Sequence, residues 1–116
     1  MKSLVRDFTF VDPKLGYGTT VLAPRPEQVR AYLQAKGWRL RKEIEHFARL
    51  EKGKNAVNCP RLYRAIDYPE QLALLVEALG RIEARPCATI VRAMHRAVPT
   101  DTRQTSLLEP AKRGAA

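Results

Sequence analysis

Residues 38–52 read WRLRKEIEHFARLEK, from Trp38 to Lys52, and two folds compete for them. As a helix, the segment places Leu40, Ile44, Phe47 and Ala48 on one face, and its Glu, Lys, Arg and Leu residues are good helix formers. As strands, Trp38, Leu40 and Ile44 alternate with Arg39, Arg41, Glu43 and Glu45, with Lys42 out of phase. Phe47 and Arg49 then alternate with Ala48 and Leu50 on a second strand. Gly53-Lys54-Asn55 follows as a turn, and Ala56-Val57-Asn58-Cys59 is a short third strand ended by Pro60. Periodicity fits both readings, and intrinsic propensity leans to the helix.

The flanks carry clearer signals. Upstream, Pro26 suits the first turn of a helix, where its missing N–H is harmless. Val29, Tyr32 and Leu33 follow at helical spacing and Gly37 stops the run, so a helix over 26–36 is expected. Downstream, Asp67-Tyr68-Pro69-Glu70 has the spacing of a capping box, with Asp67 as the cap and Glu70 reaching back to it. Leu72, Leu75, Val76, Leu79 and Ile82 form the apolar stripe of a second helix over 68–83, despite Gly80. Pro86 opens a third helix over 86–98, with Ile90, Val91 and Met94 buried and Val98 a further candidate for burial. At the start of the chain, Leu4, Phe8 and Phe10 lie on one side of a period-two run. Asp12-Pro13 and Gly16-Tyr17-Gly18 break that run before Thr19-Thr20-Val21-Leu22, which predicts a hairpin. The Gly-x-Gly precedes a strand and lacks the rest of a phosphate-loop fingerprint, so these are turn glycines.

A chain of 116 residues is one domain, expected over 1–98, with 99–116 as a flexible tail whose Leu107-Leu108 offers at most a small docking contact. No apolar run is long enough for a membrane span, and the first residues lack the apolar block of a secretory signal. Two cysteines, Cys59 and Cys87, make no disulfide framework, which makes a reducing cytoplasm the expected compartment. The formal net charge is +9. It is regional: residues 25–64 carry eleven bases against four acids, whereas residues 65–84 carry one base against four acids. A concentrated positive block is what phosphate binding needs, because neutralising phosphates releases condensed counterions. A solvated face that keeps a small protein soluble is the plainer account of the same charge.

Tyr32-Leu33-Gln34-Ala35-Lys36-Gly37-Trp38 is a helix ending in leucine, a short gap and Gly-Trp. Followed by two hairpin strands with a histidine, a strand ending in proline and a long helix, it resembles the HicA-type toxins. Those are small bacterial ribonucleases with a double-stranded-RNA-binding-domain-like α-β-β-β-α fold. The similarity covers roughly residues 26–83. It implies a three-stranded meander over 38–59, and it implies that His46, eight residues past Trp38, stands where the family keeps its acid-base histidine. The family's Gly-Ser-His is replaced here by Ile44-Glu45-His46, and HicA-type chains lack the N-terminal hairpin and the third helix. The same frame is also similar to other small bacterial proteins.

In the ribonuclease reading, His46 acts as general base on a ribose 2′-OH, and Arg39, Arg41, Lys42 or Arg49 stabilises the phosphate. The competing reading makes His46 a strand histidine at the sheet edge. His95, Cys59 and Cys87 have neither C-x-x-C nor H-x-x-H spacing, so neither a metal nor a cofactor is expected. A binding surface would draw Arg39 and Arg41 from the first strand, with Lys42 beside them. Arg49 and Lys52 would come from the second strand, and Lys54, Arg61 and Arg64 from turns and loops. Such a surface suits double-stranded RNA, which is read by shape. Tyr63 and Tyr68 either stack on a base or pack at the start of the second helix, and Trp38 belongs in the core.

The expectation is an α+β domain: a three-stranded antiparallel sheet, which the hairpin would extend, with three helices packed on one face. Its function is expected to be cytoplasmic binding of RNA or DNA through phosphates, without catalysis of its own. Two alternatives stand beside it: a HicA-like ribonuclease using His46, and an interaction subunit or homodimer whose basic block meets an acidic protein surface.

Overall fold

The computed structural model describes residues 5–12 and 15–98. Residues 38–52 form a strand, a turn and a second strand: β3 (Arg39–Glu43) and β4 (Phe47–Lys52), followed by β5 (Asn55–Pro60). All neighbours are antiparallel, in the order β3-β4-β5. Ala48 and Leu50 are buried, together with Val57 and Cys59 opposite them on β5. Burial of this face outweighs the helical propensity of the segment, because propensity differences are a few tenths of a kcal/mol per residue and a buried Leu contributes about 2 kcal/mol. Gly53, at φ +59°, occupies the first central position of the two-residue turn between Lys52 and Asn55, where a type II′ turn takes glycine.

Lys42 was out of phase in the strand pattern because β3 contains a bulge. Leu40 faces Leu50 and Lys42 faces Arg49, which leaves Arg41 as the extra residue. The bulge inverts the alternation beyond it. Lys42 and Ile44 therefore lie on the opposite side of the sheet from Leu40, not on the same side as simple alternation requires.

The helices are α1 (Pro26–Ala35), α2 (Tyr68–Glu83) and α3 (Cys87–Arg96). α1 buries Val29, Tyr32 and Leu33 and ends one residue before the expected boundary, with Gly37 at φ +94° turning the chain into β3. α2 buries Leu72, Leu75, Val76 and Leu79, while Ile82 at its end is partly exposed. The expected capping box at its start does not form. Asp67 has φ −93° and ψ 4°, not the extended backbone of a cap, and makes no side-chain cap bond. Tyr68 instead anchors the helix start by donating its hydroxyl to the Pro24 carbonyl at 2.6 Å. α3 is shorter than 86–98 at both ends, so Val98 falls beyond the helix and is exposed, not buried.

The N-terminal hairpin is present as β1 (Asp7–Val11) and β2 (Gly18–Leu22), but as its own two-stranded sheet and not as an extension of the other. Phe8 and Phe10 point into the core, and β1 packs on α2, whose Glu77 carboxylate accepts the Val11 N–H at 2.9 Å. α1 and α2 lie against β5, and α3 packs on α1 and α2. Gln28 of α1 donates to the His95 carbonyl at 3.1 Å, and the His95 ring nitrogen lies 2.8 Å from the Leu22 carbonyl, so it donates and ties α3 to β2. Cys59 and Cys87 are free and buried, and burial pushes their thiols up to about 12 and about 11. Leu4, the tail 99–116 and its Leu107-Leu108 lie outside the described residues.

Candidate nucleic-acid interface

The three-stranded sheet has one face against the helices and one face open. Register assigns Phe47, Arg49 and Glu51 of β4 to the open face, opposite Pro60, Asn58 and Ala56 of β5 and beside Lys42 and Arg39 of β3. Arg41, the bulged residue, reaches the same side: its Nε lies 3.3 Å from Glu51 Oε1, and Arg49 Nε lies 3.7 Å from Glu51 Oε2. Four of the eight expected phosphate-binding residues are thus gathered on one open surface, and Glu51 is the one acid on that face of the described strands. These ion pairs are exposed and worth little, so they do not hold the arginines back from another anion.

The other four are dispersed. Lys52 lies on the opposite side of β4 from Arg49, at the end of the sheet, where with Lys54 it borders an open depression beside Trp38 and Glu83. Arg64 is exposed in the loop before α2. Arg61 has a local structural task. Its guanidinium donates to the Ile44 carbonyl, and its Nε lies 2.9 Å from Glu43. Its backbone N–H donates to the His46 carbonyl at 3.0 Å, so Arg61 clamps the β3–β4 turn.

Glu43 lies on the helix side, where it also meets Arg30 at 2.7 Å. The hydrogen bond from Arg30 holds its carboxyl below the usual carboxylate range, aided by the charge of Arg61. A depressed pKa means stability that is fully present above the ordinary carboxylate value and is lost as pH falls through the lowered one. Glu43→Gln is therefore expected to melt below the wild type by a constant margin at neutral pH, corresponding to no more than about 1 kcal/mol for a part-exposed pair. The margin closes below about pH 4. Melting temperatures across that range check it, and a margin that persists in acid contradicts it.

His46 is not on β4 but in the turn before it, with its side chain 62% exposed and Nε2 4.0 Å from Glu45 Oε1. The crevice it borders with Phe47, Leu62, Asp67 and Gln71 holds no more than a water molecule, and neither lysine nor arginine is among the described residues that line it. Arg39 pairs with Glu51 at the far end of the hairpin from this turn. Tyr68 is buried and unavailable for stacking, and Arg25 already stacks on the half-buried Tyr63 ring, 4.5 Å from its centroid. Trp38 is in the core, as expected.

The apolar part of this face was not legible in the residue pattern. Ile44, Phe47, Lys42, Arg49 and Asn58 line one shallow depression of about 180 Å³. Phe47 was legible as a neighbour of Arg49, but Ile44 reaches this side only because of the bulge. Among the described residues no group of three His, Cys, Asp or Glu side chains is placed to hold a metal ion, and no helix is long and apolar enough to cross a membrane. Comparison with protein-family models, with curated proteins and with solved structures finds no match.

Proposed function

We propose that the protein binds nucleic acid electrostatically through the open face of β3-β4-β5, as a cytoplasmic binding or accessory protein without catalysis of its own. The observation that carries this reading is the convergence of Arg39, Arg41, Lys42 and Arg49 on one solvent-open surface, where Glu51 is the one acid of the described strands. Affinity is expected to fall steeply with added salt. Arg39→Ala/Arg41→Ala is expected to weaken binding about 10- to 30-fold near 0.1 M salt and to flatten the salt dependence. Glu51→Gln is expected to tighten binding, which a loss of folding would not mimic. Fluorescence anisotropy with labelled oligonucleotides reads all three. Undetectable binding at low salt, or an unchanged affinity in the double variant, ends this reading.

A HicA-like ribonuclease is the second reading, favoured by the exposed His46 ring beside the Glu45 carboxylate. It requires RNA cleavage that disappears in His46→Ala with the fold intact, and cleavage retained in that variant removes His46. Co-purification with a stoichiometric protein and no nucleic-acid absorbance supports an interaction subunit over both.

A further inference from the structure

The open face is more than a basic patch, because two of its cations, Lys42 and Arg49, border an apolar floor. Ile44 is 49% exposed and Phe47 half-buried, and they share the depression with Lys42, Arg49 and Asn58. A duplex gains nothing from that floor: it presents phosphates and sugars on a convex surface and keeps its base faces stacked inside. A single strand presents the two chemistries this face offers. Its unstacked bases have flat apolar faces for an aromatic ring, and its phosphates lie to either side, within reach of cations. Asn58 adds a donor and an acceptor at the edge of the same depression, suited to a base edge.

Resting on the nucleic-acid reading above, we infer that this face binds single-stranded nucleic acid. One base stacks on Phe47 and Ile44 while Lys42 and Arg49 hold the flanking phosphates. Arg39 and Arg41 continue the phosphate track along β3 towards the far end of the hairpin. The alternative occupant of a basic sheet face, a duplex held by phosphates alone, uses the arginines but not Phe47.

The test compares labelled oligo-U, oligo-dT and a duplex, each about 12 nucleotides or base pairs long, within the range of single-strand site sizes. Both single strands are expected to bind at least about tenfold more tightly than the duplex, since stacking is available only to them. Phe47→Ala is expected to lose about tenfold or more for single strands and little for the duplex, with circular dichroism checking the fold. Phe47→Trp is expected to retain affinity and to show indole fluorescence quenched by the oligonucleotide; Trp38 is buried and stays unquenched. Duplex binding as tight as single-strand binding, or an unquenched Trp at position 47 in a binding-competent protein, overturns the stacking inference and leaves the electrostatic reading standing. Binding of neither form at low salt overturns both.

Discussion

Asp12→Ala is expected to lower the melting temperature by about 10 °C or more. Asp12 follows β1 and is only 4% exposed. Its backbone carbonyl accepts the N–H groups of Leu15 and Gly16 at 3.0 and 2.9 Å, which turns the chain, while its carboxylate accepts the Cys87 N–H at 2.9 Å. Cys87 is the first residue of α3 and follows Pro86, which has no polar side chain to cap the helix. Asp12 therefore caps α3 from 75 residues away.

Removing the carboxylate leaves a buried N–H without its acceptor, which costs about 1–3 kcal/mol. It also removes a negative charge from a helix N-terminus, worth about another 0.3–1 kcal/mol. The midpoints of these ranges sum to about 2–3 kcal/mol. Asp12→Asn keeps an acceptor and loses the charge, so it should recover about half. Asp67→Ala is the informative control. Asp67 has the better sequence credentials as a cap but makes no side-chain cap bond, so its loss should stay within about 0.5 kcal/mol. Urea denaturation of the three variants decides the matter: Asp67→Ala costing more than Asp12→Ala would falsify the long-range cap.

Gly80→Ala is the second large effect, and its sign is opposite to what the helix alone dictates. In an exposed helix interior the change stabilises by about 1 kcal/mol. Here a Cβ on Gly80 would stand 2.9 Å from Cys87 Sγ and 3.4 Å from the Arg85 carbonyl oxygen. The sulfur is buried and directed at the Val76 carbonyl at 3.7 Å, so it has little room to retreat. Overpacking of this kind costs about 1–3 kcal/mol and exceeds the propensity gain. Cys87→Ala in the Gly80→Ala background removes the obstructing atom, so the two changes should couple favourably by about 1 kcal/mol or more in a double-mutant cycle. A Gly80→Ala protein more stable than the wild type would show that α2 and α3 do not approach this closely.

Both effects concern the joint between α2 and α3, and both were invisible at the level of pattern. Gly80 was legible only as an imperfection in an otherwise good apolar stripe. Its reason is a sulfur seven residues on, brought back by Ala84 in the left-handed region at φ 54°. Asp12 was legible as half of an Asp-Pro turn signal, and its carboxylate's partner is set entirely by how α3 packs. On the functional side, Arg39, Arg41 and Arg49 were legible as strand cations. Arg61 looked equivalent to them and is instead held by Glu43 and the turn carbonyls.

What the sequence by itself determined is the content of each element: where α1 and α2 run, the alternation of Ala48 and Leu50 with Phe47 and Arg49, the turn at Gly53, and a basic block at residues 25–64. These depend on signals that act within one or two turns of chain, through proline and glycine backbone limits and the burial of one face. The tertiary structure decided between helix and hairpin for residues 38–52, since only α1 and α2 supply the apolar surface that rewards the hairpin. It also decided which side each base occupies, because one bulged residue at Arg41 inverts the facing of every side chain beyond it in the strand. A charge count says how many cations there are; only the register of β3 on β4 brings four of them onto one face, with Lys42 and Arg49 beside Phe47.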